Sequence, residues 1–169
     1  MMDREFKRII LLDHYNNPNN KKLVEDERYK SVHNASESCI DDLTVYMLAQ
    51  DGVIKDLQFS GIGCTISTAS TDIMCDLLKN KTFDEARNIL ANYSNMVADK
   101  PFDEDVLEEA NAFDTLYQQA NRIKCGTIGI HAIDAGLLLR RCSGKGLHLA
   151  MTGEPRGCSR VTAGFSRSL

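Results

Sequence analysis

The residues in this chain best suited to chemistry are cysteines. There are six, at 39, 64, 75, 125, 142 and 158, alongside four His and no Trp. Three of them sit in local settings that favour a reactive or ligating thiol. Cys39-Ile40-Asp41 precedes a run of alternating apolar residues. Cys64 lies in Gly61-Ile62-Gly63-Cys64-Thr65-Ile66-Ser67, where a strand pattern gives way to a helical one. Cys125 lies in Arg122-Ile123-Lys124-Cys125-Gly126-Thr127, just ahead of another helical pattern. Each is placed at an element boundary, and two are expected near helix N-termini, where unpaired N–H groups favour a thiolate. Asp41 offers a carboxylate beside Cys39. Three thiolates and one carboxylate oxygen suit tetrahedral zinc, and thiolates equally suit an iron–sulfur cluster. Spacing alone decides nothing, because no C-x-x-C pair is present and the gaps match no zinc finger. Three unrelated buried cysteines remain open on this ground.

The remaining candidates read as structural. Cys75, among Ile73, Met74, Leu77 and Leu78, is expected in the core, as are Met47, Met74 and Met96. Cys142 and Cys158 read as incidental thiols. His14 is expected to make a structural hydrogen bond, and His131 to be packed or to face a partner. Asp103-Glu104-Asp105 and Glu108-Glu109 read as solvated first turns of a helix. Gly61-Ile62-Gly63 lacks the Lys of a phosphate loop.

Elements must bring these positions together. Residues 3–15 predict a helix with an apolar stripe of Phe6, Ile9, Ile10 and Leu12, stopped by Asn16-Asn17-Pro18-Asn19-Asn20. Residues 21–38 are polar, with a short strand near 29–35. Leu43, Val45 and Met47 alternate with Thr44, Tyr46 and Leu48, and Val53–Phe59 follows Asp51-Gly52, a strong hairpin signal. Helices are predicted over 66–79, from a Thr82/Glu85 capping box to about 97, over about 103–118, and over about 126–139. Early strands and late helices predict an α+β domain, with about three antiparallel strands packed against several α-helices.

Composition divides the chain. It has 169 residues, 43% hydrophobic and 26% charged, with a net charge of −4. Residues 1–139 carry 14 basic and 23 acidic residues; residues 140–169 carry six and one, with five of the 11 Gly. The expected organisation is a domain over 1–139 and a basic, Gly/Arg-rich tail over 140–169. The tail reads as a flexible extension, with a basic arm or a read-through origin as alternatives. The negative charge argues against a general nucleic-acid binder. No apolar stretch reaches the length of a membrane span, and Met1-Met2-Asp3-Arg4-Glu5 lacks the apolar core of a signal peptide, so a cytoplasmic chain is expected.

Four motifs together resemble the U-type iron–sulfur cluster assembly proteins, the SufU/IscU/NifU N-terminal-like family. These are Asp13-His14-Tyr15 with Asn17-Pro18, Cys39-x-Asp41, Gly61-x-Gly63-Cys64-x-Ile66-Ser67, and Arg122-Ile123-Lys124-Cys125-x-Thr127, in order over about residues 4–138. The family's fold agrees with the α+β reading. The classical scaffolds have His directly before the third cysteine; Lys124 stands here, and the segment between the second and third cysteines is long. Both features resemble the SufU-like branch. That resemblance implies zinc held by Cys39, Asp41, Cys64 and Cys125, and a cysteine desulfurase (SufS-like) as partner. It also implies Cys39 as the persulfide acceptor, Arg122 as a docking or orienting residue, and downstream cluster assembly proteins. Any enzymatic activity would be sulfur transfer in company with the desulfurase. A scaffold for a transient [2Fe–2S] cluster is the alternative, and a metal-free interaction module the second. Ile40 stands where the family usually has Gly, so the chain is expected to enter the site at a different angle.

Overall fold

The computed structural model describes residues 2–37 and 39–143. The chain runs α1 (Arg4–Asn16), β1 (Lys30–Ala35), β2 (Asp42–Gln50), β3 (Val53–Ile62), α2 (Thr65–Leu78), α3 (Phe83–Val97) and α4 (Ala120–Ser143). Two 3-10 turns, Glu108–Phe113 and Leu116–Gln118, lie between α3 and α4. The sheet is antiparallel in the order β1-β2-β3, with Val45 opposite Phe59 and Met47 opposite Leu57. The β2–β3 turn is made by Asp51 (φ 52°) and Gly52 (φ 75°), and this double positive φ matches the twist of a two-residue hairpin.

Alternation, interrupted by a bulge in β3 opposite Leu48 and Ala49, gives the sheet one apolar face. Leu43, Val45 and Met47 of β2 and Ile54, Leu57 and Phe59 of β3 are buried against the helices. Helix α2 sits at the centre and buries Ala69, Ile73, Met74, Cys75, Leu77 and Leu78. Helix α4 packs on α2, β1 and β2 and buries Ile128, Ile130, Ile133 and Leu137. Gly129 permits that approach, because a Cβ there would lie 2.0 Å from Thr71 Oγ1. The Thr82/Glu85 capping box opens α3 as expected. Cys75, Met47, Met74 and Met96 are core residues.

Four details differ from the sequence reading. The exposed side of α1 carries Phe6, Ile9 and Leu12; its inward side is Ile10 and His14, flanked by Lys7 and Leu11. Polar anchoring sets this orientation. Lys7 Nζ donates to Asp114 at 2.6 Å, and His14 bonds Asp72 at 2.6 Å and Glu109 at 3.1 Å. The helix expected over about 103–118 is replaced by the two 3-10 turns. Glu108 adopts φ 44°, which an α-helix cannot continue, and Asn111 Nδ2 takes the carbonyls of Glu104 and Glu108. Helix α4 starts at Ala120 rather than about 126, so Cys125 lies inside it rather than ahead of it. Helix α4 also ends at Ser143 rather than about 139. The rest of the expected tail, 144–169, with Cys158, lies outside the described residues. Among the described residues no helix is long and apolar enough to cross a membrane.

Candidate metal centre

The antiparallel register builds the site. Asp42 at the start of β2 pairs with Ile62 at the end of β3. The segment entering β2 (Cys39-Ile40-Asp41) therefore meets the segment leaving β3 (Gly63-Cys64) at one end of the sheet. The Ser36 N–H donates to the Asp41 carbonyl at 2.8 Å and closes the loop that carries Cys39. Helix α4 brings Cys125 to the same end. Asn34 of β1 donates to the Ile128 carbonyl at 3.0 Å, and Tyr93 OH to the Gly126 carbonyl at 2.9 Å, which fixes the second turn of α4.

The structure thus gathers Cys39, Asp41, Cys64 and Cys125, with one ligand atom of each within 4.8 Å of all the others. Cys125 Sγ lies 3.7 Å from Cys39 Sγ, and Cys64 Sγ 3.9 Å from Asp41 Oδ2. A tetrahedral ion with Zn–S of about 2.3 Å and Zn–O of about 2.1 Å separates its sulfurs by about 3.8 Å and a sulfur and an oxygen by about 3.6 Å. The donor set and its spacing therefore fit one small thiophilic ion.

Asp41 is almost wholly buried. Burial alone raises its carboxyl, but the Cys64 N–H at 2.8 Å, the Ser67 hydroxyl at 2.7 Å and the neighbouring thiols outweigh it and hold the pKa below the ordinary 3.8. The group is ready to ligate as an anion. Cys64 is the N-cap of α2, and its sulfur accepts the Ser67 N–H at 3.5 Å. Burial, reinforced by Asp41 and the other two cysteines, pushes the Cys125 thiol well up. A cation is what relieves that penalty.

Cys39 is half-buried in the irregular stretch between β1 and β2. Ile40 turns its side chain outward, 66% exposed, while Asp41 enters the site. Arg122 and Lys124 are exposed on the first turns of α4, outside the four-residue group, and His131 is exposed farther along it. Two contributors had no role assigned from sequence. Ser67 binds Asp41, and Gly63 leaves it room; their signal was position, since the third residue of a helix capped by Cys64 must face the cap.

A second group, His14, Asp72 and Asp76, also has its atoms within ligating distance of one another. Here the oxygens are already engaged. Asp72 accepts from His14, the Asn19 N–H, the Asn20 N–H and Asn20 Nδ2, and Asp76 accepts from Asn19 and Asn20 Nδ2. This is a structural network, as expected for His14.

Comparison with known proteins follows the same lines. Residues 7–126 match the model of the NifU-like N-terminal domain. The zinc-dependent sulfurtransferase SufU of Bacillus subtilis is 30% identical over 131 residues, 77% of this chain and 88% of that protein. The iron–sulfur cluster assembly scaffold protein IscU of Thermotoga maritima is 32% identical over 88 residues, 52% of this chain and 62% of that protein. The crystal structure of a SUF-system protein, FiSufU, from Fervidobacterium islandicum AW-1 superposes with a TM-score of 0.72 at 30% identity, over 76% of this chain and 93% of that one. The N-terminal NifU-like structure from Brucella abortus, at 18% identity, shares the fold with a TM-score of 0.71 over 85% of this chain and all of that one.

Proposed function

The chain belongs to the family of NifU-like N-terminal domains, and on that footing we propose that it is a zinc-dependent sulfur acceptor in iron–sulfur cluster assembly. It takes persulfide sulfur from a cysteine desulfurase of the SufS kind in the cytoplasm and passes it to downstream assembly proteins. The observation that carries this reading is the four-residue group, three thiols and one carboxylate spaced for a single tetrahedral ion. The likeness to a zinc-dependent sulfurtransferase over most of both chains supports it.

The ion's contribution is to hold its thiolate ligands deprotonated at neutral pH. The chain's own residues do the rest. Cys64 is tied to the start of α2 and Cys125 is buried within α4, whereas Cys39 sits in a stretch without regular structure. Cys39 is therefore the sulfur that can leave the group at least structural cost. Its thiolate attacks the outer sulfur of the partner's persulfide. A Cys39 S–S bond forms, the partner's S–S bond breaks, and the partner's cysteine leaves as a thiolate; no external oxidant or reductant is needed. In this reading Arg122, exposed one turn before Cys125, orients the docked partner.

The test uses the zinc-loaded protein, a SufS-like desulfurase and cysteine. Expected are faster desulfurase turnover and a persulfide mapped to Cys39 by mass spectrometry, both lost in Cys39→Ala. Equal acceleration by Cys39→Ala would refute Cys39 as the acceptor. A colour-bearing [2Fe–2S] protein, with no stoichiometric zinc on purification, would favour the scaffold reading that the IscU likeness offers.

A further inference from the structure

Resting on the zinc reading above, we propose that Ser67 is a positioning residue that holds Asp41 as a one-oxygen ligand. Asp41 Oδ1 accepts two hydrogen bonds, from the Cys64 N–H at 2.8 Å and from Ser67 Oγ at 2.7 Å. Both donors belong to the first turn of α2, and Ser67 is fully buried. Two fixed donors on one oxygen leave only Oδ2 turned toward the thiols, 3.9 Å from Cys64 Sγ. For the carboxylate to swing round and ligate through both oxygens, it would have to give up both bonds.

Ser67 has other bonding options. Its Oγ also lies 3.2 Å from the Cys64 carbonyl, but it carries one proton, and the shorter contact to an anionic acceptor takes it. Its backbone N–H meanwhile donates to Cys64 Sγ at 3.5 Å. One residue thus steers two of the four ligands. Gly63 provides the seat: a Cβ there would lie 2.6 Å from Ser67 Oγ and 2.9 Å from Thr68 Oγ1, so any larger residue displaces the hydroxyl.

The arrangement has a consequence for sulfur transfer. When Cys39 leaves the group, a carboxylate free to rotate would fill the vacated position with its second oxygen. Ser67 prevents that and keeps Asp41 ligating through Oδ2 alone. Outer-shell groups of this kind typically change metal affinity by about 10- to 100-fold.

The experiment compares wild type, Ser67→Ala, Gly63→Ala and Ser94→Ala in the full chain. Zinc affinity is read by competition with a chromophoric chelator, and ligand geometry by the visible bands of the cobalt(II)-substituted protein. Thermal melts of the metal-free forms identify any variant that fails to fold. Expected are about 10- to 100-fold weaker zinc in Ser67→Ala and a cobalt spectrum of lower intensity, as coordination rises above four. Gly63→Ala should move both readouts the same way, because it retains the hydroxyl but displaces it. Ser94→Ala removes a hydroxyl that bonds the Leu90 carbonyl, on a helix that supplies none of the four ligands, and should leave both unchanged. In an Asp41→Ala background, Ser67→Ala should add no further loss. Zinc affinity and a cobalt spectrum equal to wild type in folded Ser67→Ala or Gly63→Ala would overturn the assignment while leaving the zinc reading intact. A wild type that takes up no stoichiometric zinc would overturn both.

Discussion

Replacing Asp41 separates what it does for the fold from what it does for the metal. In the metal-free protein its Oδ1 accepts from the Cys64 N–H at 2.8 Å and Ser67 Oγ at 2.7 Å. A hydrogen bond to a charged acceptor is worth about 1.5–3 kcal/mol. Asp41→Ala removes both and strands two donors, and losing a buried charge offsets part of that. The expected net loss is about 2–4 kcal/mol. Asp41→Asn keeps an acceptor oxygen in the same place, at roughly half the strength, so the expected loss is about 1–2 kcal/mol. For zinc the two variants should converge, because each lacks the anionic ligand, and both should weaken binding by more than the about 10- to 100-fold of an outer-shell change. The pH dependence has a definite sign. A carboxyl held below its ordinary value of 3.8 contributes stability that is fully present above that value and lost as pH falls through its folded pKa. The wild-type advantage over Asp41→Asn should therefore be constant from neutrality down to about pH 4 and shrink only below it. The assay is urea unfolding with chelator present, repeated across pH, beside zinc competition at pH 7. An Asp41→Ala protein as stable as wild type without metal would refute the hydrogen-bond account. Asn and Ala variants that differ widely in zinc affinity would refute the anionic-ligand account.

His14 is driven down by burial, but its bonds to Asp72 and Glu109 prevail and raise its pKa above 6.5. Its contribution is therefore fully present below pH 6.5 and lost as pH rises through the folded value; His14→Gln should cost about 2–3 kcal/mol near pH 6 and less in alkali, and a pH-independent difference would contradict this. Gly129→Ala drives a methyl to 2.0 Å from Thr71 Oγ1 and should cost at least about 1–3 kcal/mol in urea melts; a neutral effect would mean that α2 and α4 can separate freely. With chelator present, iodoacetamide should modify Cys39 and Cys64 in the native state. Cys75, fully buried with its thiol pushed well above the ordinary range by that burial, should react only on unfolding; native-state labelling of Cys75 would refute its core placement.

Much of this was legible from residue order, for reasons that differ by element. The hairpin and α3 announce themselves through Asp51-Gly52 and the Thr82/Glu85 box, local signals that tertiary packing did not override. The stripe on α1 misleads because Phe6, Ile9 and Leu12 face out, while Lys7 and His14 anchor the side next to Ile10 through Asp114 and Asp72. The start of α4 is hidden because Ala120–Lys124 offers only Ile123 to an apolar period, and Gly126 and Gly129 then lower helix propensity where close packing requires them. The helix expected at 103–118 fails on Glu108 and Asn111, whose backbone and side-chain competition no periodicity records. The four-residue group was readable as motifs but not as geometry. That Ile40 points out while Asp41 points in, and that Ser67 holds the carboxylate, depends on where two chain segments 23 residues apart meet.

The central claim is that a single zinc ion bound by Cys39, Asp41, Cys64 and Cys125 enables sulfur acceptance at Cys39. Its most direct test measures metal content and persulfide on the same preparation. Protein purified without reconstitution is assayed for zinc, then given a SufS-like desulfurase and cysteine before and after zinc removal. One zinc per chain is expected, with persulfide on Cys39 in the zinc-loaded form, and loss of acceptance on removal that added zinc restores. Persulfide formation on Cys39 at the same rate without zinc would contradict the claim.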